Sequence, residues 1–366
     1  MDKKLLFFGI CLILVVLAFF IGYAKIGFFG VSFVEKNKIG AIIPLSGELA
    51  YMGESMQKGI GLAIKDTNFN ISIIYEDSQG KKDVAVNAYN KLTQLDNVNY
   101  IFGSQSGVIL SYSPLAKEQH KIVFAIGTAN PGLTTNNGFL FRNNLYTADE
   151  AEFNAKQIFN LGYKNIILIA HNQPGGKEYL NIFSEKYKGD VLFQEVFQNS
   201  LDFKDIALKI KNSKADAVFV YSYSSELAEL MKESYSLGLN TNWFSLFCTE
   251  ENAIRDLPKN VKEGLVYSYP INYKNNQYSE FSKNYFEEYG IKPDLFAALA
   301  YDNIQMLKLA MEGCDYKDVT CVKNNLLKIE NFNGVSGETT IDAEGDSHKQ
   351  IYLKTIKNGE FVMFGE

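Results

Sequence analysis

From Lys38 onward the chain alternates short apolar runs with amphipathic stretches, and this rhythm restricts its fold more than any other feature. Apolar runs at Lys38–Ile43, Ile71–Glu76, Val98–Phe102 and Lys121–Ile126 are separated by helical patterns at Met52–Asp66, Asp83–Leu95 and Val108–Glu118. The same alternation resumes at Asn165–Ala170, Asp190–Phe197, Ala217–Tyr221 and Trp243–Phe247, with Lys177–Lys186, Phe203–Lys211 and Ser225–Leu237 between them; Asp202 is a candidate N-cap. Near-continuous apolar strands joined by helices require parallel sheets covered on both faces, because each parallel crossover needs a helix to return the chain. The expected fold is α/β, with two doubly wound lobes. A strand at Gly264–Ile271, helices at Tyr278–Tyr289 and Leu295–Met311, and a hairpin over Ile351–Val362 turning at Asn358-Gly359 are too few for a third sheet. They must complete the two lobes, so the chain crosses between lobes repeatedly. Repeated crossing makes a hinge, and a hinge between lobes makes a cleft.

Ahead of this body, Lys3 and Lys4 precede Leu5–Ala24, a stretch without a charged residue. Twenty helical residues at about 1.5 Å each span a hydrocarbon core of roughly 30 Å, which fits an uncleaved anchor. Gly22 and Ala24 also fit a signal peptide cut after Ala24, and the sequence leaves both readings open. Either one exports the body, giving an extracytoplasmic location with residues 1–30 as signal peptide or transmembrane anchor. An exported compartment permits disulfides, and Cys314 and Cys321, bracketing a short polar loop between two helical patterns, are expected to pair; Cys248 is then the odd thiol.

Formal net charge is −6 and the Lys and Arg residues are scattered, which argues against a nucleic-acid partner. The three histidines, His120, His171 and His348, belong to no zinc-binding spacing, and no metal or other cofactor is expected. No enzymatic chemistry is expected either: Gly103-Ser104-Gln105-Ser106-Gly107 places Gln105 where a nucleophile elbow needs serine. Ligands of open parallel sheets bind at the carboxyl ends of strands. Two hydroxyl-bearing turns fall there, at Ser106 and at Gly127-Thr128-Ala129, and can converge on one carboxylate.

The chain resembles the type I solute-binding proteins of ABC transporters, in the branched-chain amino acid and amide group. The resemblance rests on Ile42-Ile43-Pro44-Leu45-Ser46-Gly47, Asp77, Ser106-Gly107-Val108, Asn130-Pro131-Gly132-Leu133-Thr134, Phe141-Arg142, Ala300-Tyr301-Asp302, and Phe332–Gly337 followed by Asp342, Gly345 and Asp346. It implies three crossovers, near 143–149, 268–274 and 343–349, with lobe 1 at 38–147 plus 272–345 and lobe 2 at 148–271 plus 346–366. It also implies a small-molecule ligand, an amino acid or derivative, delivered to a transporter permease; a membrane-tethered sensor of the same fold is the alternative. Carried over by position, Ser106 and the Gly127–Ala129 turn hold the ligand carboxylate, Tyr223 lines the second lobe, and Glu250 or its neighbour Glu251 receives the ammonium. Met52 stands where the family has a first-loop tyrosine, with Tyr51 beside it, and Gly175 replaces a second-lobe aromatic. Both departures point to a ligand larger or more polar than a branched-chain amino acid.

Overall fold

The computed structural model describes residues 37–130, 132–172, 174–198 and 203–366. The membrane-segment reading of Leu5–Ala24 and the Asp202 cap lie outside the described residues. Among the described residues no helix is long and apolar enough to cross a membrane.

The first half runs β1 (Asn37–Ile43), α1 (Ala50–Thr67), β2 (Ile71–Asp77), α2 (Lys82–Asn90), β3 (Tyr100–Ser104), α3 (Ser106–Glu118), β4 (Ile122–Ile126) and β5 (Leu140–Asn143). These strands form a parallel sheet in the order β2-β1-β3-β4-β5. Every residue of β3 and β4 is buried, as a sheet covered on both faces demands. Ile39, Phe102 and Phe124 pack towards one side with Met56 and Ile60 of α1, whereas Ile42, Ile101 and Val123 pack with Tyr89 and Tyr112 on the other.

The second half follows with α4 (Thr147–Asn160), β6 (Asn165–His171), α5 (Pro174–Lys186), β7 (Asp190–Phe197), α6 (Lys204–Asn212), β8 (Ala217–Tyr221), α7 (Ser224–Ser236), β9 (Asn242–Ser245), two single-turn helices α8 (Asn252–Arg255) and α9 (Lys259–Lys262), and β10 (Val266–Tyr269). The chain then forms α10 (Asn276–Tyr289), α11 (Leu295–Met311) and α12 (Val319–Leu326), which pack with α1 and the first sheet. Short strands β11 (Phe332–Gly334), β12 (Gly337–Ile341) and β13 (Ser347–Lys349) make a small antiparallel sheet of their own. Finally β14 (Tyr352–Lys357) and β15 (Glu360–Met363) complete a seven-stranded sheet, β15-β14-β10-β9-β8-β6-β7, as an antiparallel edge.

The chain therefore passes between the two large sheets three times: at 144–146, at 270–275 and at 350–351. The third passage follows β13 because residues 347–349 are used in that strand. Cys314 and Cys321 are joined, tying the end of α11 to the start of α12, and Cys248 is a free thiol whose sulfur lies 3.2 Å from the Ser222 carbonyl.

Candidate functional site

Strands β3 and β4 are neighbours paired Ser104 to Ile126, so their carboxyl ends place residues 104–106 and 127–129 side by side. Gln105 has φ +63°, unusual for a side chain with a Cβ, and its carbonyl accepts the N–H groups of Val108 and Ile109 at 3.0 Å. That turn starts α3 at Ser106, which is half-buried. The hydroxyls of Ser104 and Thr128 are buried and have no hydrogen-bond partner among the described residues. Buried polar atoms are rarely left unpaired, so these two mark a surface suited to a polar ligand. The turn is anchored through its carbonyls: Thr128 accepts Asn144 Nδ2 at 3.1 Å and Ala129 accepts the Thr147 hydroxyl at 2.7 Å. Gly127 has φ +62°, and a Cβ there would lie 2.9 Å from the Phe296 ring. Glycine thus lets Phe296, at the start of α11, seat directly against the turn.

Phe296 also lines a cleft of about 1030 Å³ whose walls include Glu48 and Tyr51 from the first half, and Tyr223, Glu250, Glu251 and Arg255 from the second. Tyr269, Tyr273 and Tyr278 extend it along the second passage. The structure thus places Tyr51, Tyr223 and both candidate glutamates in one cleft; Ser106 and the Gly127–Ala129 turn are not among the residues that line it, and Gly127 lies behind Phe296.

The two glutamates have different partners. The carboxylate of Glu250 accepts the Tyr267 hydroxyl at 2.6 Å and the Tyr273 hydroxyl at 3.0 Å, and it is paired with the ammonium of Lys354. Lys354 is fully buried, 3.8 Å above the Tyr273 ring. Burial pushes its pKa down to about 8 against the opposing pull of Glu250. Glu250 is already neutralised within the protein. Glu251 instead accepts the Ser224 hydroxyl at 2.5 Å, and Tyr51 lines the opposite side of the same cleft. Burial raises its pKa, the hydroxyls of Ser224 and Tyr51 oppose the rise, and the negative charge of Asp294 adds to it. A cation beside Glu251 would relieve both unfavourable contributions. Tyr223 is half-exposed, caps α7 by donating its N–H to Glu226 at 3.1 Å, and its ring lies tilted against His171, 5.8 Å between centroids.

Lys354, Asp294 and Phe296 were missed from the sequence. Asp294 had a signal: Asp before an apolar helical run is an N-cap pattern, and its carboxylate accepts the Ala297 N–H at 2.9 Å and the Ser55 hydroxyl. Lys354 and Phe296 had none, because periodicity marks both as ordinary strand and helix residues.

Comparison with known proteins agrees with this architecture. The Leu/Ile/Val-binding protein homolog 2 of Brucella abortus is 23% identical over 368 residues, covering 96% of this chain and 95% of that protein. The branched-chain amino acid substrate-binding protein LivJ of Streptococcus pneumoniae, in complex with isoleucine, matches with a TM-score of 0.82 and 23% identity, covering 89% of this chain and 98% of that one. A solute-binding protein of R. palustris in complex with benzoate matches with a TM-score of 0.80 and 19% identity, covering 90% and 96%. At these identities the structural likeness speaks for the fold alone. The family model of the periplasmic binding proteins, however, matches residues 36–360. A two-lobed α/β body with three passages and a cleft between its halves, matched over nearly its whole length, belongs to the periplasmic binding protein family and has its type I fold.

Proposed function

We propose that this chain is the extracytoplasmic substrate-binding component of an ABC transporter, that it captures an α-amino acid or a close derivative in its cleft, and that it delivers the ligand to a permease. In this reading the carboxylate sits on Ser106 and the Gly127–Ala129 turn, and the ammonium on Glu251 beside Tyr223. The observation that carries the proposal is the placement of Glu251, an acid with no cationic partner among the described residues, on the wall facing Tyr51. A zwitterion satisfies donors on one lobe and an acid on the other together only when the lobes are shut, so it binds the closed state better and drives closure. The aromatic extension along Tyr269, Tyr273 and Tyr278 leaves room beyond the amino-acid core, which favours a large side chain or a short peptide. Residues 5–24 would tether the protein to, or export it across, the membrane.

A thermal-shift screen of the purified protein against amino acids, amides, short peptides and benzoate tests this reading. A ligand at one hundred times its dissociation constant raises stability by about 2.7 kcal/mol. The proposal expects shifts confined to compounds carrying both an ammonium and a carboxylate. A shift with benzoate and none with any amine overturns the amino-acid assignment.

A further inference from the structure

The hinge holds a charged cluster that the cleft does not use. His348 lies in β13, opposite Thr340 of β12. Its Nδ1 is 2.6 Å from Asp149 Oδ2 and its Nε2 is 3.1 Å from Asp342 Oδ2. Asp149 stands in the first turn of α4, immediately after the first passage between the sheets. Asp342 opens the turn from β12 to β13, and its other oxygen accepts the N–H groups of Glu344 at 2.9 Å and Asp346 at 2.8 Å. Those two bonds orient the carboxylate and present Oδ2 to the ring.

A neutral imidazole donates from one nitrogen only, whereas carboxylates on both nitrogens call for two donors. The contacts therefore select the imidazolium. The remaining groups around it do not cancel this preference. The Tyr146 ring lies 5.0 Å from the imidazole, and Arg142, 5.6 Å from the centre of the Tyr146 ring, is paired with Asp346 at 2.7 Å. His348, Asp149 and Asp342 are all about two-fifths or one-third exposed, so the ring exchanges its proton with solvent without unfolding.

We propose that His348 is a proton-operated staple of the hinge: as an imidazolium it ties the first passage, through Asp149, to the segment leading into the third, through Asp342, and on losing its proton it releases them. Partial burial pulls the pKa of the ring down, but its hydrogen bonds to Asp149 and Asp342 and their charges outweigh this, and the net shift is upward from 6.5. A folded-state pKa above the unfolded value gives stabilisation that is complete below the unfolded value and lost as pH rises through the folded one. Lobe motion turns on these passages, so the hinge is stiffer in acid and looser in base. The inference rests on the hinge geometry and not on the identity of the ligand.

Proton NMR titration of the full chain tests it. The chain has three histidines, and His348→Gln identifies the signal of the third. The staple predicts a titration above that of a free histidine, lowered in Asp149→Asn and again in Asp342→Asn. It also predicts that amides of 143–149 and 341–349 exchange more slowly in the wild type than in His348→Gln at acidic pH, with a ratio that falls as pH rises. The two proteins should converge once the pH exceeds the measured pKa. If His348→Gln does not fold, the two aspartate variants carry the same comparison. A His348 titration at or below that of a free histidine, one unmoved by either aspartate variant, or an exchange ratio that does not change with pH overturns the proposal.

Discussion

Glu250 and Glu251 are adjacent in the chain, yet their carboxylates meet opposite environments. Glu251→Gln is expected to weaken binding of a ligand found in the screen by about 2–5 kcal/mol while leaving thermal stability nearly unchanged, measured by calorimetry and thermal melts. Glu250→Gln should do the reverse, because it strands the buried Lys354 ammonium at a cost of about 3–5 kcal/mol, and pairing it with Lys354→Met should recover much of that loss. If Glu250→Gln abolishes binding in a protein of normal stability, the roles are the other way round. Glu150 supplies a pH prediction. It is buried in α4, accepts the Ser268 hydroxyl at 2.5 Å, and burial pushes its pKa from 4.5 up to about 8, opposed by that bond and one from the Phe247 N–H. The folded protein keeps this proton where the unfolded chain loses it, so the group's contribution is complete below about pH 4.5 and is lost as pH rises to about 8. Glu150→Gln should therefore gain thermal stability over the wild type progressively across that window, on the order of 1–3 kcal/mol at its upper end. A difference that stays flat with pH would show that Glu150 is ionised in the fold.

At the scale of elements, the contact of α1 with α11 depends on a missing side chain. A Cβ on Gly59 would lie 2.2 Å from the Ala297 carbonyl oxygen, so the two helices approach backbone to backbone. Gly59→Ala is expected to cost about 2–4 kcal/mol despite the better helix propensity of alanine, read from denaturant midpoints. Gly61→Ala, whose Cβ would meet only the Tyr289 hydroxyl at 3.2 Å, is the control and should stay within about 1 kcal/mol of the wild type. Equal effects would mean that helix propensity, not the approach of α11, governs both sites. The Cys314–Cys321 bond closes a short loop between α11 and α12, with a sequence separation of 7. Loop-closure entropy assigns it about 2–3 kcal/mol, and replacing both cysteines by serine should lower stability by that amount. Alkylation without reductant should label neither of them; quantitative labelling of both would refute the pairing.

For the whole molecule, Tyr51 and Glu251 line one cleft from halves linked by three passages. Tyr51→Phe should leave the melting temperature of the free protein almost unchanged and weaken ligand by about 0.5–1.5 kcal/mol, because its hydroxyl meets a ligand held on Glu251 only with the halves together. A large loss of stability without ligand would place Tyr51 in the fold instead of the closure. Much of this architecture was legible in the chain. Apolar runs such as Tyr100–Ser104 and Ile122–Ile126 announce buried parallel strands because burial on both faces removes any polar alternation. The Asn358-Gly359 turn announces the β14–β15 hairpin because both residues take positive φ. The strands β11, β12 and β13 were not expected from the sequence, since strands of three to five residues carry too little periodicity to stand out. The sequence by itself determined the two sheets, the cysteine pair and the turns that follow β3 and β4, all of which follow from local pattern and composition. Only the tertiary structure decided which of the two cleft glutamates has its own cation. That choice depends on Lys354, 104 positions away in the chain, and electrostatic environment follows distance in space, which local pattern does not encode.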